Sequence, residues 1–174
     1  MVISAVMAAF GITLPVAFHA VGLGSKFLPM LLPLLLNGFL STAPWAMLTG
    51  ALVPLASGLI TGMPPLYPPV AMVMSVEGAS MAGTAALIYR GFRPRIWQGL
   101  ALAVIVDRCA SAALMWSIAG KFGLPPAALS IAAFLQALPG VALQIIVVPP
   151  VVRALSARKG ILFRDEDESK TPVF

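Results

Sequence analysis

The chain has 174 residues, of which 60% are hydrophobic and only 10% charged, against about 25% charged in a soluble domain. So few polar side chains cannot cover a water-facing surface; the composition excludes a soluble globular protein and predicts an all-α integral membrane protein. The net charge of +5 does not point to nucleic acid, because the basic residues sit in loops and a tail, as expected of the cytoplasmic side of a membrane protein.

The first predicted helix covers Val2 to Val21 and meets no ionisable side chain before His19. About 20 apolar residues span a bilayer. No basic residue precedes Lys26, so this segment lacks the charged start of a secretory signal and is read as a retained helix. Ala5 and Ala9 are four apart and share one face, a small-residue strip suited either to a partner helix or to packing inside the chain. Gly22 and Gly24 break the helix. A short second helix, Leu28 to Leu40 with an interruption at Pro33, spans obliquely or only partly.

Ser41 to Pro44 forms a turn, and a third helix follows from Trp45 to Ile60, with Trp45 at an interface position. Two Pro-Pro pairs, Pro64-Pro65 and Pro68-Pro69, make the next turn stiff and non-helical. The fourth helix, Pro69 to Tyr89, carries Glu77 among Ala, Met, Val and Gly. A basic loop from Arg90 to Arg95 leads into the fifth helix, Ile96 to Ile118, which holds Asp107 and Arg108 at its middle. Trp116 reads as an interface anchor. Lys121 and Pro125-Pro126 mark a turn before the sixth helix, Ala127 to Val152, which Pro139-Gly140 kinks. Residues 1–156 thus form one transmembrane domain, a compact bundle of six helices. Residues 157–174 form a polar, solvated, disordered tail. Cys109, the single cysteine, excludes an internal disulfide and a cysteine-rich metal site.

Three of the 11 Lys and Arg residues lie in the Arg90–Arg95 loop and five in the tail. Two helices separate these regions, so they share a side, and that side is predicted to be cytoplasmic. If the second helix crosses, both termini are cytoplasmic. At ~1.5 Å rise per residue, Glu77 lies ~12 Å, Asp107 ~13 Å and Gln136 ~14 Å below the outer edge of the hydrocarbon core. Glu77, Asp107, Arg108 and Gln136 therefore share one slab, with His19, Lys26 and Tyr67 above it, the layout of an outward-opening binding pocket. An ionisable residue within a membrane helix is a functional candidate by default. The competing role is structural: Glu77 pairs with Arg108 to neutralise both charges. Asp107 and Arg108 are adjacent and point about 100° apart, so one is expected to brace the helix while the other faces the pocket.

No Gly-rich phosphate loop is present, which excludes ATP hydrolysis by that route. One His and one Cys leave no metalloprotease site. An intramembrane hydrolase needs clustered nucleophile and base residues, and only Glu77 and Asp107 come near that. The same composition would also suit a non-transporting scaffold or assembly protein, or a stand-alone channel or carrier.

Several stretches together resemble the membrane-embedded substrate-binding (S) components of energy-coupling factor (ECF) transporters, the vitamin-uptake branch of ABC importers. They are Ala5-Val-Met-Ala-Ala9, Phe18-His-Ala-Val-Gly-Leu-Gly24, Phe27-Leu-Pro-Met30 with Pro33, Gly62-Met-Pro-Pro65 through Pro69 followed by Glu77, and Leu138-Pro-Gly140 with Gln144 and Pro149-Pro-Val. The likeness runs from Val2 to Leu155 and looks closest to members assigned to pantothenate or hydroxymethylpyrimidine. Leu31 stands where the family often carries a polar residue after the methionine. The resemblance implies a six-helix, non-enzymatic protein in a prokaryotic plasma membrane that binds a water-soluble vitamin or precursor from outside. It implies docking through Ala5 and Ala9 on a transmembrane coupling subunit, with two cytoplasmic ATPases consuming ATP. This chain itself would carry no cofactor.

Overall fold

The computed structural model describes residues 1–20, 22, 27, 29–67, 70–92, 95–122 and 131–162, with side chains described to 117 and again over 138–157. Among the described residues the regular elements are all α-helices: α1 (Val2–Ala20), α2 (Leu31–Leu40), α3 (Ala43–Thr61), α4 (Val70–Gly91), α5 (Ile96–Phe122) and α6 (Ile131–Leu162). Every one except α2 is long and apolar enough to cross a membrane.

The short helix departs most from the sequence expectation. It starts at Leu31 rather than Leu28, and Pro33 lies in its first turn. There an N–H has no intrahelical partner to lose, so Pro33 opens the helix instead of interrupting it. All of α2 except Leu32 is buried. Its leucines do not face lipid; with Phe39 they form the centre of the core, packed against Met81 and Ala85 of α4, Leu100 and Ala103 of α5, and Val148 and Val152 of α6.

Other boundaries shift for similar local reasons. Pro44 occupies the first turn of α3, which therefore begins at Ala43. α3 ends where Gly62 adopts φ 73° and returns its N–H to Gly58, a left-handed cap that suits glycine. The Ser57 hydroxyl then donates to the Met63 carbonyl at 2.6 Å, which ties the proline-rich turn to the helix end. α6 does not stop at Val152 but continues to Leu162. Its last ten or so residues are mostly Ala, Leu, Arg and Lys, good helix formers without a proline. Residues 157–162, expected in a disordered tail, are thus helical; residues 163–174 lie outside the described ones.

Glycines set the register between helices. A β-carbon on Gly78 of α4 would meet the Gly50 carbonyl of α3 at 2.6 Å and Leu34 of α2 at 2.9 Å. Gly38 of α2 sits equally close to the Ala82 carbonyl, and Gly83 of α4 lies against Met47 of α3. From Leu34 to Gly38 on α2, partners on α4 advance from Gly78 to Ala82, so these two helices run in the same direction. From Gly50 to Met47 on α3, partners on α4 advance from Gly78 to Gly83, so that pair is antiparallel. Gly11 of α1 joins the same level, against Leu34 and Val53. Four helices therefore converge on a waist one residue away from Glu77.

Candidate functional site

The waist explains where Glu77 points. Gly78 is committed to the α2–α3 side, and the preceding residue is turned about 100° around the helix, toward α5. Only residues 92–95 separate α4 from α5, so α5 returns antiparallel to α4 and brings Asp107 and Arg108 opposite Glu77. Glu77 and Asp107 are 6% and 2% exposed.

Arg108 closes on its own neighbour. Its Nε and Nη2 both donate to Oδ2 of Asp107, at 2.9 and 2.6 Å, and Nη2 lies 3.7 Å from Oε1 of Glu77. The expected division of Asp107 and Arg108 between bracing the helix and facing the pocket fails here. The Cα–Cβ directions do diverge, but the long arginine stem bends back over the backbone and brings its guanidinium to the side where Asp107 and Glu77 lie. Ser111, one turn further along α5, hydrogen-bonds the Glu77 carboxyl. Oδ1 of Asp107 is buried without a hydrogen-bond partner. Glu77 is near enough to Asp107 for the two carboxyls to act on each other electrostatically.

The structure thus brings together Glu77, Asp107 and Arg108. The ring of His19 engages its own helix, with Nδ1 at 2.8 Å from the Pro15 carbonyl. Tyr67 lies on the turn between α3 and α4 with 79% of its surface exposed. Lys26 and the side chain of Gln136 lie outside the described residues. Ala5 and Ala9 sit on the exposed face of α1, beside exposed Val6 and Phe10, whereas Ser4 and Gly11 on the opposite face are buried.

Ser111 was legible in principle, since it follows Asp107 by four residues and Arg108 by three, the spacings that share a helix face. Asn37 carries a weaker signal, a lone amide in an apolar run. It is fully buried, and neither its side-chain nitrogen nor its oxygen has a hydrogen-bond partner among the described residues. Gln144, noted in the resemblance, is buried on α6.

A groove of about 290 Å³ between α5 and α6 is lined by Trp97, Leu100, Ala101, Val104, Ile105, Val141 and Ile145. Its lining is almost wholly apolar, with the indole of Trp97 the one side chain that carries a polar group. Among the described residues, no group of three His, Cys, Asp or Glu side chains could hold a metal ion. Chemically, the Glu77 cluster presents two carboxyl groups, one shared guanidinium and a hydroxyl. No family model, curated protein or solved structure matches the chain.

Proposed function

We propose that the chain is the substrate-binding component of an ECF-type importer, embedded in a prokaryotic plasma membrane, which takes a water-soluble vitamin or precursor from outside. The carrying observation is the Glu77–Arg108–Asp107 cluster, the charged group at the waist of a predominantly apolar bundle. Charged groups in a membrane interior are costly and are kept where a ligand or ion must be bound.

Two further features support the reading. The helix directions alternate, with α2 and α4 parallel and α3 antiparallel to α4, which is what six successive crossings require. In this reading α2 crosses at the protein-enclosed centre, where a helix of ten residues needs no lipid-facing length because its neighbours cover both ends. Both termini are then cytoplasmic. The exposed Ala5–Ala9 strip would meet a transmembrane coupling subunit, and two cytoplasmic ATPases would supply the energy. The chain itself is then neither an enzyme nor a cofactor protein.

The test is a binding screen of the purified, detergent-solubilised chain against water-soluble vitamins and their precursors, read by thermal shift and native mass spectrometry. A saturable hit that is lost in Glu77→Ala and Arg108→Ala is expected. Silence across the panel from folded protein, together with stoichiometric capture of a membrane partner, would replace this reading with a scaffold role.

A further inference from the structure

We propose that the Glu77–Asp107–Arg108 cluster is a cation site, taking the ammonium or amidinium group of its ligand in exchange for a proton. The inference rests on the uptake reading, and it commits to a ligand charge that the residue types alone leave open.

The charge count is the first argument. Two carboxylates share one guanidinium, so one negative charge is in excess when both are ionised. The elements packed against this stretch of α4 do not balance it. α2 and α3 contain no Asp, Glu, Lys, Arg or His. On α4 itself the next cation is Arg90; Arg95 immediately precedes α5, and Lys121 stands near its far end. Each is ~20 Å along its helix from the cluster. Arg153 lies on α6 near the core residue Val152, and His19 is at the end of α1 against Pro15. Cys109, beside Arg108, is exposed. A buried group carrying a net charge is expensive in a low-dielectric interior, so a positive partner must arrive with the ligand or as a proton.

Geometry is the second argument. Arg108 turns its Nε–Nη2 edge to Asp107, where two of its donors converge on the single oxygen Oδ2. Its positive charge is thereby matched by a buried carboxylate, so a carboxylated ligand would only add to the excess negative charge. The unfilled capacity is of the opposite kind. Oδ1 of Asp107 is an acceptor without a partner inside a residue that is 2% exposed. Oε1 of Glu77 stands 3.7 Å from the nearest arginine nitrogen, beyond hydrogen-bond length, and the Ser111 hydroxyl gives the Glu77 carboxyl a neutral donor. The unfilled acceptor on Asp107 calls for a donor, and the excess charge calls for that donor to be cationic.

The decisive experiment uses three isosteric probes on the full purified chain: benzamidinium, neutral benzamide and anionic benzoate. Thermal stabilisation and calorimetry in two buffers of different ionisation heat report binding and proton release. Benzamidinium should stabilise saturably, benzamide at least ~10-fold more weakly, as expected when a charge-assisted contact is lost, and benzoate not at all. Where the site exchanges a proton for the ligand, affinity should rise about tenfold per pH unit with release of about one proton. Glu77→Gln and Asp107→Asn should each abolish the benzamidinium response while the chain stays folded.

A benzoate preference, an undiminished response in both variants, or no response to any probe at millimolar concentration overturns the cation site. An anionic vitamin hit with benzoate preferred sinks this inference and leaves the uptake reading intact. A benzamidinium response in a chain that binds no nutrient and captures no partner does the reverse.

Discussion

The guanidinium of Arg108 reaches Asp107, its neighbour in the chain, at 2.6 Å and stops 3.7 Å short of Glu77 on the facing helix. One partly buried cation therefore serves two carboxylates unequally. The pair on α5 is made within a single helix, while Glu77 meets the Ser111 hydroxyl and the more distant charge of Arg108. This asymmetry separates the roles of the three residues in experiments.

Arg108→Met should be the most damaging change in the cluster, because it strands two buried carboxylates. Breaking a buried pair in this way costs about 3–5 kcal/mol, and the partial exposure of Arg108 places the effect toward the lower end. The unfolding midpoint in detergent should fall sharply, and Arg108→Lys should recover only part of it, since a lysine cannot place two donors on one oxygen. A midpoint within experimental error of the parent would mean that the guanidinium does not stabilise the carboxylates.

The waist predicts a different sensitivity. A side chain on Gly78 or Gly50 would run into the backbone of the facing helix, which cannot move aside as a flexible side chain can. Gly78→Leu and Gly50→Val should each cost at least the ~1–3 kcal/mol typical of overpacking, and the folded yield should drop. Gly91→Ala, where nothing lies within 4 Å, is the control and should stay within about 0.5 kcal/mol of the parent. Equal tolerance at all three positions would refute the close crossing.

Asn37 invites a stabilising substitution. A buried amide without partners carries a desolvation cost of about 1–3 kcal/mol, so Asn37→Leu, branched at the same carbon, should raise the melting temperature, and Asn37→Asp should lower it. If Asn37→Leu instead leaves stability unchanged but abolishes ligand or partner binding, the amide serves function rather than packing.

On the exposed face of α1, Ala5→Trp and Ala9→Trp add bulk without entering the core. If the proposed uptake role holds, both variants should fold and retain ligand while losing the coupling subunit in a pull-down. Ligand and partner lost together would indicate a general folding defect and not a docking surface.

The helices were legible because the bilayer-length apolar runs between Val2 and Val152 are local properties, written in consecutive residues. So were the three charged residues, since any Glu, Asp or Arg stands out among Ala, Val and Leu. The partition of α2 was harder. Pro33 reads as an interruption until the start of the helix is known, and a ten-residue leucine-rich run reads equally as a lipid-facing or an enclosed segment.

What the linear chain determined by itself was composition, the order of the apolar helices and the position of each charge along its helix, quantities that follow from counting residues. Only the tertiary structure decided that Gly50 meets Gly78, that α2 lies enclosed and parallel to α4, and that Arg108 turns back onto Asp107. Those outcomes depend on which helix faces are pressed together and on how far a flexible side chain can reach, and neither is encoded in the spacing of neighbouring residues.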